Sequence, residues 1–413
     1  MLKPLFTGID VSMQDFKLRS VNEQGQETGQ RLLAPNDASG IDLIEKHLLA
    51  VLRENALDKL YIGFESTSTY HWPLQMALAE SAALARFSPE ICSFNARLID
   101  KFKESYGKKQ KDDWIDSFMI AERLRFKRPP HGGKMDFRFL PLQRLTRFRY
   151  HLVSQVVREK NYFLSNLFLK FSTLCTMDVF ADKFGATATT IATEFLSPDE
   201  IAARPLEDLI RFLMDCGHQH FTNPEETANK LIEAARKAHR LHADLQKPIT
   251  LILKTSLESI RATERLIKSI DKAIAQQMGS FPNTLTSVKG IGPVFAAGII
   301  AEIGYADGFR NEAALANYAG LTWPAHNSGD FVSEENPLSH RGNAYLKYYL
   351  IEAANLVRLH IPEYTDFYHR KYKEALKHKH RRALVLTARK LVRLVYALLR
   401  ANQLYSPSKR KVV

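Results

Sequence analysis

The sequence predicts an α/β domain with a mixed sheet, followed by two regions that are mostly helical. Three observations lead there. Short apolar segments bounded by turn residues fill the first third, first as a meander and then alternating with helical stretches. Pro129-Pro130 and Gly132-Gly133 mark a boundary after them. Beyond it, apolar residues recur with helical period. The expected domains are residues 1–135, a helical linker and coiled-coil arm at 136–280, a C-terminal domain at 281–404 and a basic tail at 405–413.

Taken in order, LFTGIDV at 5–11 reads as a buried strand. FKLRSV and GQRLLA follow across the turn NEQGQE, which gives an antiparallel meander. SGIDLIEKHLLAVLREN has helical period, with Ser39 as its cap. KLYIGFES is the next strand. A helix from about Tyr70, a short strand ALARFS and a helix after Pro89 come next. LQRLTRFRYHLVSQVVREKNYFLSNLFLKF is a long, basic, amphipathic helix, and residues 226–278 form another long helical stretch, kinked at Pro248. There Ile260, Ile267 and Ile274 recur every seven residues, and Leu253 and Leu257 continue the seam. That spacing suits a coiled-coil partner or the chain's own core equally well.

Composition narrows the class. Hydrophobic residues make up 45% and charged residues 25%, as in ordinary globular proteins. No apolar run approaches the roughly 18–20 residues of a membrane span. MLKPLFTGIDVS lacks a signal-peptide core. Cys92, Cys175 and Cys216 are too few and scattered for a disulfide framework, so a reducing cytoplasm is expected. The net charge is +13, and its distribution matters more than its size. From Arg370 onward lie 14 of the 58 bases but only one of the 45 acids, which leaves 44 of each before it. So concentrated a basic tract reads as a phosphate footprint, with a membrane-surface helix as the rival.

The acids carry the chemistry. Asp10 ends the first strand in GIDVS, and Glu65 ends the fourth in GFESTSTYHW. Functional groups of an alternating sheet gather at such strand ends. The stretch KKQKDDWIDS adds three aspartates in five positions, where a bland reading is a solvated helix start favoured by the dipole. Asp113 and Asp116 share a helical face by spacing, but so do Asp112 and Asp116. Four acids brought together repel one another unless a cation neutralises them, and oxygen donors of high charge suit Mg²⁺. Two such ions about 3.5–4 Å apart clamp the attacking and leaving oxygens of a phosphodiester.

The meander, the Asp in GIDVS, the Glu in ESTSTYHWPL and the helix with KDDWIDS together resemble the DEDD insertion-sequence transposases, relatives of the pilin-gene DNA invertases. The resemblance implies a ribonuclease H-like fold of the RuvC type for the first domain. The family's Lys-Thr-Asp-x-x-Asp-Ala selects Asp113 and Asp116, with Asp10 and Glu65, as metal-binding and catalytic acids. Asp112 replaces the Thr, Ser117 replaces the Ala, Met13 stands where Lys is common, and Ser66-Thr67-Ser68 replaces a small, Gly-rich turn.

A second centre lies further on. SVKGIGPVFAAGIIAEIG has the Gly-x-Gly of a helix-hairpin-helix, whose backbone N–H groups hold phosphate, so Lys289, Gly290 and Gly292 are candidate nucleic-acid contacts. Phe309, YAGL, Ser328-Gly329, SHRGNAYLK and RRALVLTARKLVRLVYALL resemble the family's C-terminal domain. By that resemblance Ser328 is the nucleophile; NSG alone reads as a turn. Ser339 is the runner-up, and SHRG also reads as a helix cap. The activating base is open, with His326 two residues away. Arg341, Lys347, Arg381 and Arg382 are candidate phosphate ligands or surface charges. CGHQH offers three soft donors, one short of a structural zinc site.

The resemblance further implies double-stranded donor and target DNA, a structured noncoding bridge RNA, and homodimers that pair to homotetramers. It places the protein in a bacterial or archaeal cytoplasm near the nucleoid. The rivals are a metal-only junction resolvase and a non-catalytic nucleic-acid-binding protein.

Overall fold

The computed structural model describes residues 3–65, 69–94, 96–106, 112–126, 137–195, 197–217, 221–323, 338–339 and 341–407. The chain divides into two compact units. One comprises Met1–Pro141, Ser287–Gly290 and Ile300–Val413, the other Leu142–Thr286 and Ile291–Ile299.

A five-stranded sheet of order β3-β2-β1-β4-β5 organises the N-terminal region. Strands β1 (Pro4–Val11), β2 (Asp15–Val21) and β3 (Leu32–Pro35) form the expected antiparallel meander. Helix α1 (Ala38–Glu54) follows, and β4 (Lys59–Glu65) pairs parallel with β1. Helices α2 (Trp72–Glu80) and α3 (Ala82–Ala85) lead to β5 (Glu90–Phe94), parallel to β4. Helices α4 (Ala96–Ser105) and α5 (Asp113–Phe126) complete the region. This mixed sheet fits the RuvC-like expectation.

The period of two sorts the strand residues onto two faces. Leu5, Ile9, Leu60, Ile62 and Phe64 share one core with Ile44 and Leu48 of α1 and Leu74 of α2. Phe6 and Tyr61 share the other with Met119, Ile120 and Leu124 of α5, their rings stacked at 5.1 Å. Asp10 and Glu65 lie in phase with Phe6 and Tyr61, so both acids belong to the α5 face.

Two local expectations are corrected. The strand is EICSF, not ALARFS: the Ala-rich segment folds as α3, and Pro89 precedes a strand instead of opening a helix. The cap of α1 is Asp37, whose carboxylate accepts the Gly40 N–H at 2.9 Å, while the Ser39 hydroxyl donates to that same carboxylate.

The middle is helical, with α6 (Leu140–Thr176), α7 (Ala186–Glu194), α8 (Pro198–Ala202), α9 (Leu206–Cys216), α10 (Pro224–Lys237) and α11 (Ala243–Met278). The expected stretch at 226–278 is thus two helices. It breaks at Ala238–His242, not at Pro248, which lies inside α11. The heptad seam serves the chain's own core: Leu253, Leu257 and Ile260 are buried there with Phe163 and Leu167 of α6, and Ile267 packs against it. Helices α6 and α11 run antiparallel, joined by Lys160–Glu264 at 2.8 Å and by Arg149–Asp271.

The C-terminal region contains α12 (Pro293–Ile303), α13 (Glu312–Tyr318), α14 (Ala344–His360), α15 (Pro362–Glu374) and α16 (Lys379–Ala401). Tyr349, Leu350 and Ala353 of α14 and Leu391, Val392 and Val395 of α16 are fully buried. Tyr396 of α16 donates its hydroxyl to the Phe309 carbonyl at 3.0 Å. No helix among the described residues is long and apolar enough to cross a membrane.

Candidate active site

Two glycines position the carboxylates. Gly8 of β1 and Gly63 of β4 are register partners. A Cβ on Gly8 would lie 2.0 Å from the Ser117 carbonyl oxygen, and one on Gly63 would lie 2.8 Å from Ile120 Cγ2. Helix α5 therefore rests on a bare strip of the sheet. Asp10 and Glu65 follow the glycines by two residues on the same face, and Asp113 and Asp116 occupy the first turn of α5.

The acids act on one another through their charges. The Asp10 carboxyl is pushed up to about 6, first by burial and then by the charges of Asp113 and Asp116. Glu65 is pushed up to about 7 by burial, then by Asp10, Asp116 and Asp100. Asp112 stands apart: its carboxylate accepts the Trp114 N–H at 2.9 Å and caps α5.

Three neighbours escaped the sequence reading. Lys17 of β2, the register partner of Asp10, forms an ion pair with Asp113. Lys103 of α4 forms one with Asp116. Asp100 adds a further negative charge near Glu65. Only the strand register signalled Lys17; nothing in the sequence marked the other two. Among the described residues no three acids, histidines or cysteines are grouped closely enough to grip a metal ion. Asp113 and Asp116 are instead drawn to ammonium groups. The donor chemistry nonetheless fits a hard divalent cation, because the group is all oxygen and carries more negative charge than its lysines neutralise. His71, within the ESTSTYHWPL segment, serves the other face: it stacks on Phe64 at 5.6 Å and contacts Ser93 Oγ at 3.2 Å.

Ser328 and His326 lie outside the described residues, as do His218, His220 and residues 408–413. The motifs that flank Ser328 meet each other. The Ser339 N–H donates to the Thr322 carbonyl at 2.8 Å, and the Asn343 N–H donates to the Tyr318 carbonyl at 2.6 Å. Gly320 and Gly342 have φ of +67° and +110°, and a Cβ on Gly342 would lie 2.5 Å from the Gly320 nitrogen. YAGL and SHRGN thus need their glycines for one close contact. Asn343, not Ser339, caps α14, accepting the N–H groups of Tyr345 and Leu346 at 3.0 Å, and its amide donates to buried Glu302 at 2.7 Å. Ser339 Oγ accepts the Arg341 N–H at 3.1 Å.

The candidate phosphate contacts divide by environment. Lys289 and Gly292 are exposed, and nothing lies within 4 Å of a Cβ built on Gly292. Gly290 packs on α14, its Cβ position 2.6 Å from the Val357 nitrogen. Arg341, Arg381 and Arg382 are exposed, the last two in the first turn of α16. Lys347 is partly buried, donates to the Ser339 carbonyl at 3.0 Å and has its pKa lowered by burial. Bases and aromatics interleave on α15 and α16: Arg370 lies 5.3 Å from the Phe367 ring centroid, and Lys390 lies 5.0 Å from that of Tyr364.

The model for IS110-type DEDD transposases matches residues 7–171, and that described as the transposase IS116/IS110/IS902 family matches residues 283–369. The insertion element IS116 uncharacterized 44.8 kDa protein of Streptomyces clavuligerus is 24% identical over 341 residues, 79% of this chain and 80% of that one. The insertion element IS900 uncharacterized 42 kDa protein of Mycobacterium paratuberculosis is 22% identical over 419 residues, 99% of this chain and 98% of that one. A probable family 20 transposase of Pseudomonas aeruginosa is 28% identical over 168 residues, 40% of this chain and 49% of that one. The mixed sheet and these matches define a DEDD-type transposase, an enzyme that cuts and rejoins DNA. The chain belongs to the IS110/IS116 family of insertion-sequence transposases. DEDD transposase domains generally use a divalent metal.

Proposed function

We propose that this transposase is guided by a structured noncoding RNA and cuts DNA through a covalent phosphoserine intermediate on Ser328, assisted by Mg²⁺ at Asp10, Glu65, Asp113 and Asp116. The placement of Asp10 and Glu65 on the sheet face that α5 covers, with Asp113 and Asp116 in the first turn of that helix, carries the reading: burial and the charges of neighbouring acids raise Asp10 and Glu65, an arrangement that is costly without cations. When bound, the metal supplies charge stabilisation at the phosphodiester and activation of the attacking oxygen.

The residues divide the work. Asp10 and Glu65 offer oxygens from the strand ends, and Asp113 and Asp116 from α5. Ser328 attacks phosphorus through its hydroxyl oxygen, the phosphorus–oxygen bond to one DNA strand breaks, and the proton lost by the serine ends on the departing oxygen, which leaves as a DNA hydroxyl group. Lys289, Gly290, Gly292, Arg341, Arg381 and Arg382 contact phosphates of DNA or RNA, and Lys347 supports the Ser339 segment. The likeness of YAGL, Ser-Gly and SHRGNAYLK to the family supports the serine. The basic, aromatic-interleaved helices α15 and α16 support a nucleic-acid interface. Dimers that pair to tetramers bring the carboxylate centre of one subunit to the serine of another. The setting is the cytoplasm of a bacterial or archaeal host, at its nucleoid.

The test is cleavage of labelled element-end DNA with cognate RNA and Mg²⁺. Asp10→Asn and Glu65→Gln should each lose cleavage while retaining RNA binding. Full cleavage by Asp10→Asn would remove the carboxylates from the mechanism.

A further inference from the structure

We propose that Lys17 and Lys103 are resident counter-ions of the carboxylate site, which a divalent cation must displace and which nucleic-acid phosphate then receives. This deepens the metal-site reading above and rests on it.

The two lysines come from separate elements and engage the two acids in the first turn of α5. Lys17 projects from β2, where it is the register partner of Asp10, and its ammonium engages Asp113. Lys103 projects from α4, and its ammonium engages Asp116. The Lys103 pair is the more enclosed, its side chains 12% and 20% exposed, whereas in the Lys17 pair Asp113 is 47% exposed. Each lysine also acts on a second acid through its field: Lys17 eases the charge on Asp10, and Lys103 eases that on Glu65. Two ammoniums thus serve all four carboxylates.

Pairing and metal binding compete for the same oxygens. Each ammonium holds one oxygen of its carboxylate, Asp113 Oδ2 or Asp116 Oδ1, and a positive charge at contact distance repels a dication. The cation gains both oxygens of Asp113 and Asp116, and is freed of that repulsion, only when the two ammoniums move off. Once displaced, each ammonium is a partly desolvated cation beside the site, and a DNA phosphate is the anion that satisfies it. Metal and nucleic acid therefore bind with positive coupling, and by linkage each tightens the other by the same factor. The arrangement holds down metal loading, and so strand cleavage, until nucleic acid is in place.

The experiment is titration calorimetry of the full-length protein with Mg²⁺ alone, and again with a duplex oligonucleotide carrying the element end. Lys103→Gln and Lys17→Gln should each bind Mg²⁺ without DNA about fivefold more tightly than wild type, the factor that ~1 kcal/mol makes. Both should show a smaller gain on adding DNA. Lys103→Arg keeps the charge and should stay near wild type. The variants are checked by circular dichroism, and either Gln variant alone decides if the other misfolds. Unchanged or weaker Mg²⁺ binding in a folded Gln variant overturns the counter-ion role. Absence of Mg²⁺ binding in wild type and variants alike, with DNA present, overturns the metal-site reading itself and this inference with it.

Discussion

Gly8 and Gly63 lie side by side on β1 and β4, and helix α5 rests on the bare strip they leave. At Gly8 a Cβ would meet α5 backbone, the Ser117 oxygen at 2.0 Å and the Ala121 nitrogen at 2.5 Å. At Gly63 it would meet side-chain tips, Ile120 Cγ2 at 2.8 Å and Leu124 Cδ1 at 3.0 Å. Backbone cannot swing aside as a side chain can. Gly8→Ala should therefore cost about 1–3 kcal/mol by overpacking, and Gly63→Ala less. Because Asp113 and Asp116 ride on α5, Gly8→Ala should also lower cleavage more than DNA binding. Denaturant unfolding and a cleavage assay check both statements. A neutral Gly8→Ala would mean that α5 does not depend on this contact.

The three aspartates at the start of α5 separate by role. Asp113→Asn and Asp116→Asn should be inactive. Asp112→Asn should cut normally, because an Asn side chain still caps the helix. Asp112→Ala should lose about 1 kcal/mol of stability while keeping activity. A dead Asp112→Asn beside an active Asp113→Asn would shift the assignment by one residue.

Lys170 sets a pH dependence in the helical middle. It is 3% exposed, donates to the Ala192 carbonyl and Thr250 Oγ1 at 2.8 Å, and burial lowers its pKa to about 8. An unfolded lysine titrates near 10.4. Between those values the unfolded chain binds more protons, so stability rises with pH across this window and is lowest below it. A neutral amine keeps two donors, enough for both bonds. Unfolding of wild type followed from pH 7.5 to 10 should show the rise, and Lys170→Met should flatten it. An identical rise in Lys170→Met would assign the effect to other groups.

The basic end should act on phosphate. Deleting Lys409–Val413 should weaken DNA binding modestly and lower the slope of log K against log salt by roughly 0.9 for each phosphate no longer neutralised. Binding to anionic vesicles that outcompetes DNA would favour a membrane surface instead.

The sequence made Asp10 and Glu65 legible because a charge at the end of a buried strand is conspicuous. The same local signal misplaced β5. In ALARFSPEICSF the alanines and the Pro carry opposite propensities from the ones read, and pairing of Ile91 with Ile62 decides which segment is the strand. Asp37, two residues before Ser39, is the cap because α1 already begins at Ala38. The heptad seam was visible, but whether it faces another chain or its own core depends on tertiary packing, here with α6. Lys17 and Lys103 were hidden for a similar reason. Their ion pairs join residues 96 and 13 positions apart, from different elements, and leave no pattern along the chain.

The most direct test is to trap the protein–DNA adduct. Protein, cognate RNA, labelled DNA and Mg²⁺ are run on a denaturing gel, and the modified peptide is mapped. A covalent link conserves the phosphodiester for rejoining, whereas hydrolysis discards it, so a recombining enzyme is expected to hold DNA on a side chain. The account predicts an adduct on Ser328 that is lost in Ser328→Ala and in Asp10→Asn. An adduct on Ser339 or on a tyrosine, or clean cleavage with no adduct even on trapping substrates, would contradict it and point to a resolvase-like nuclease.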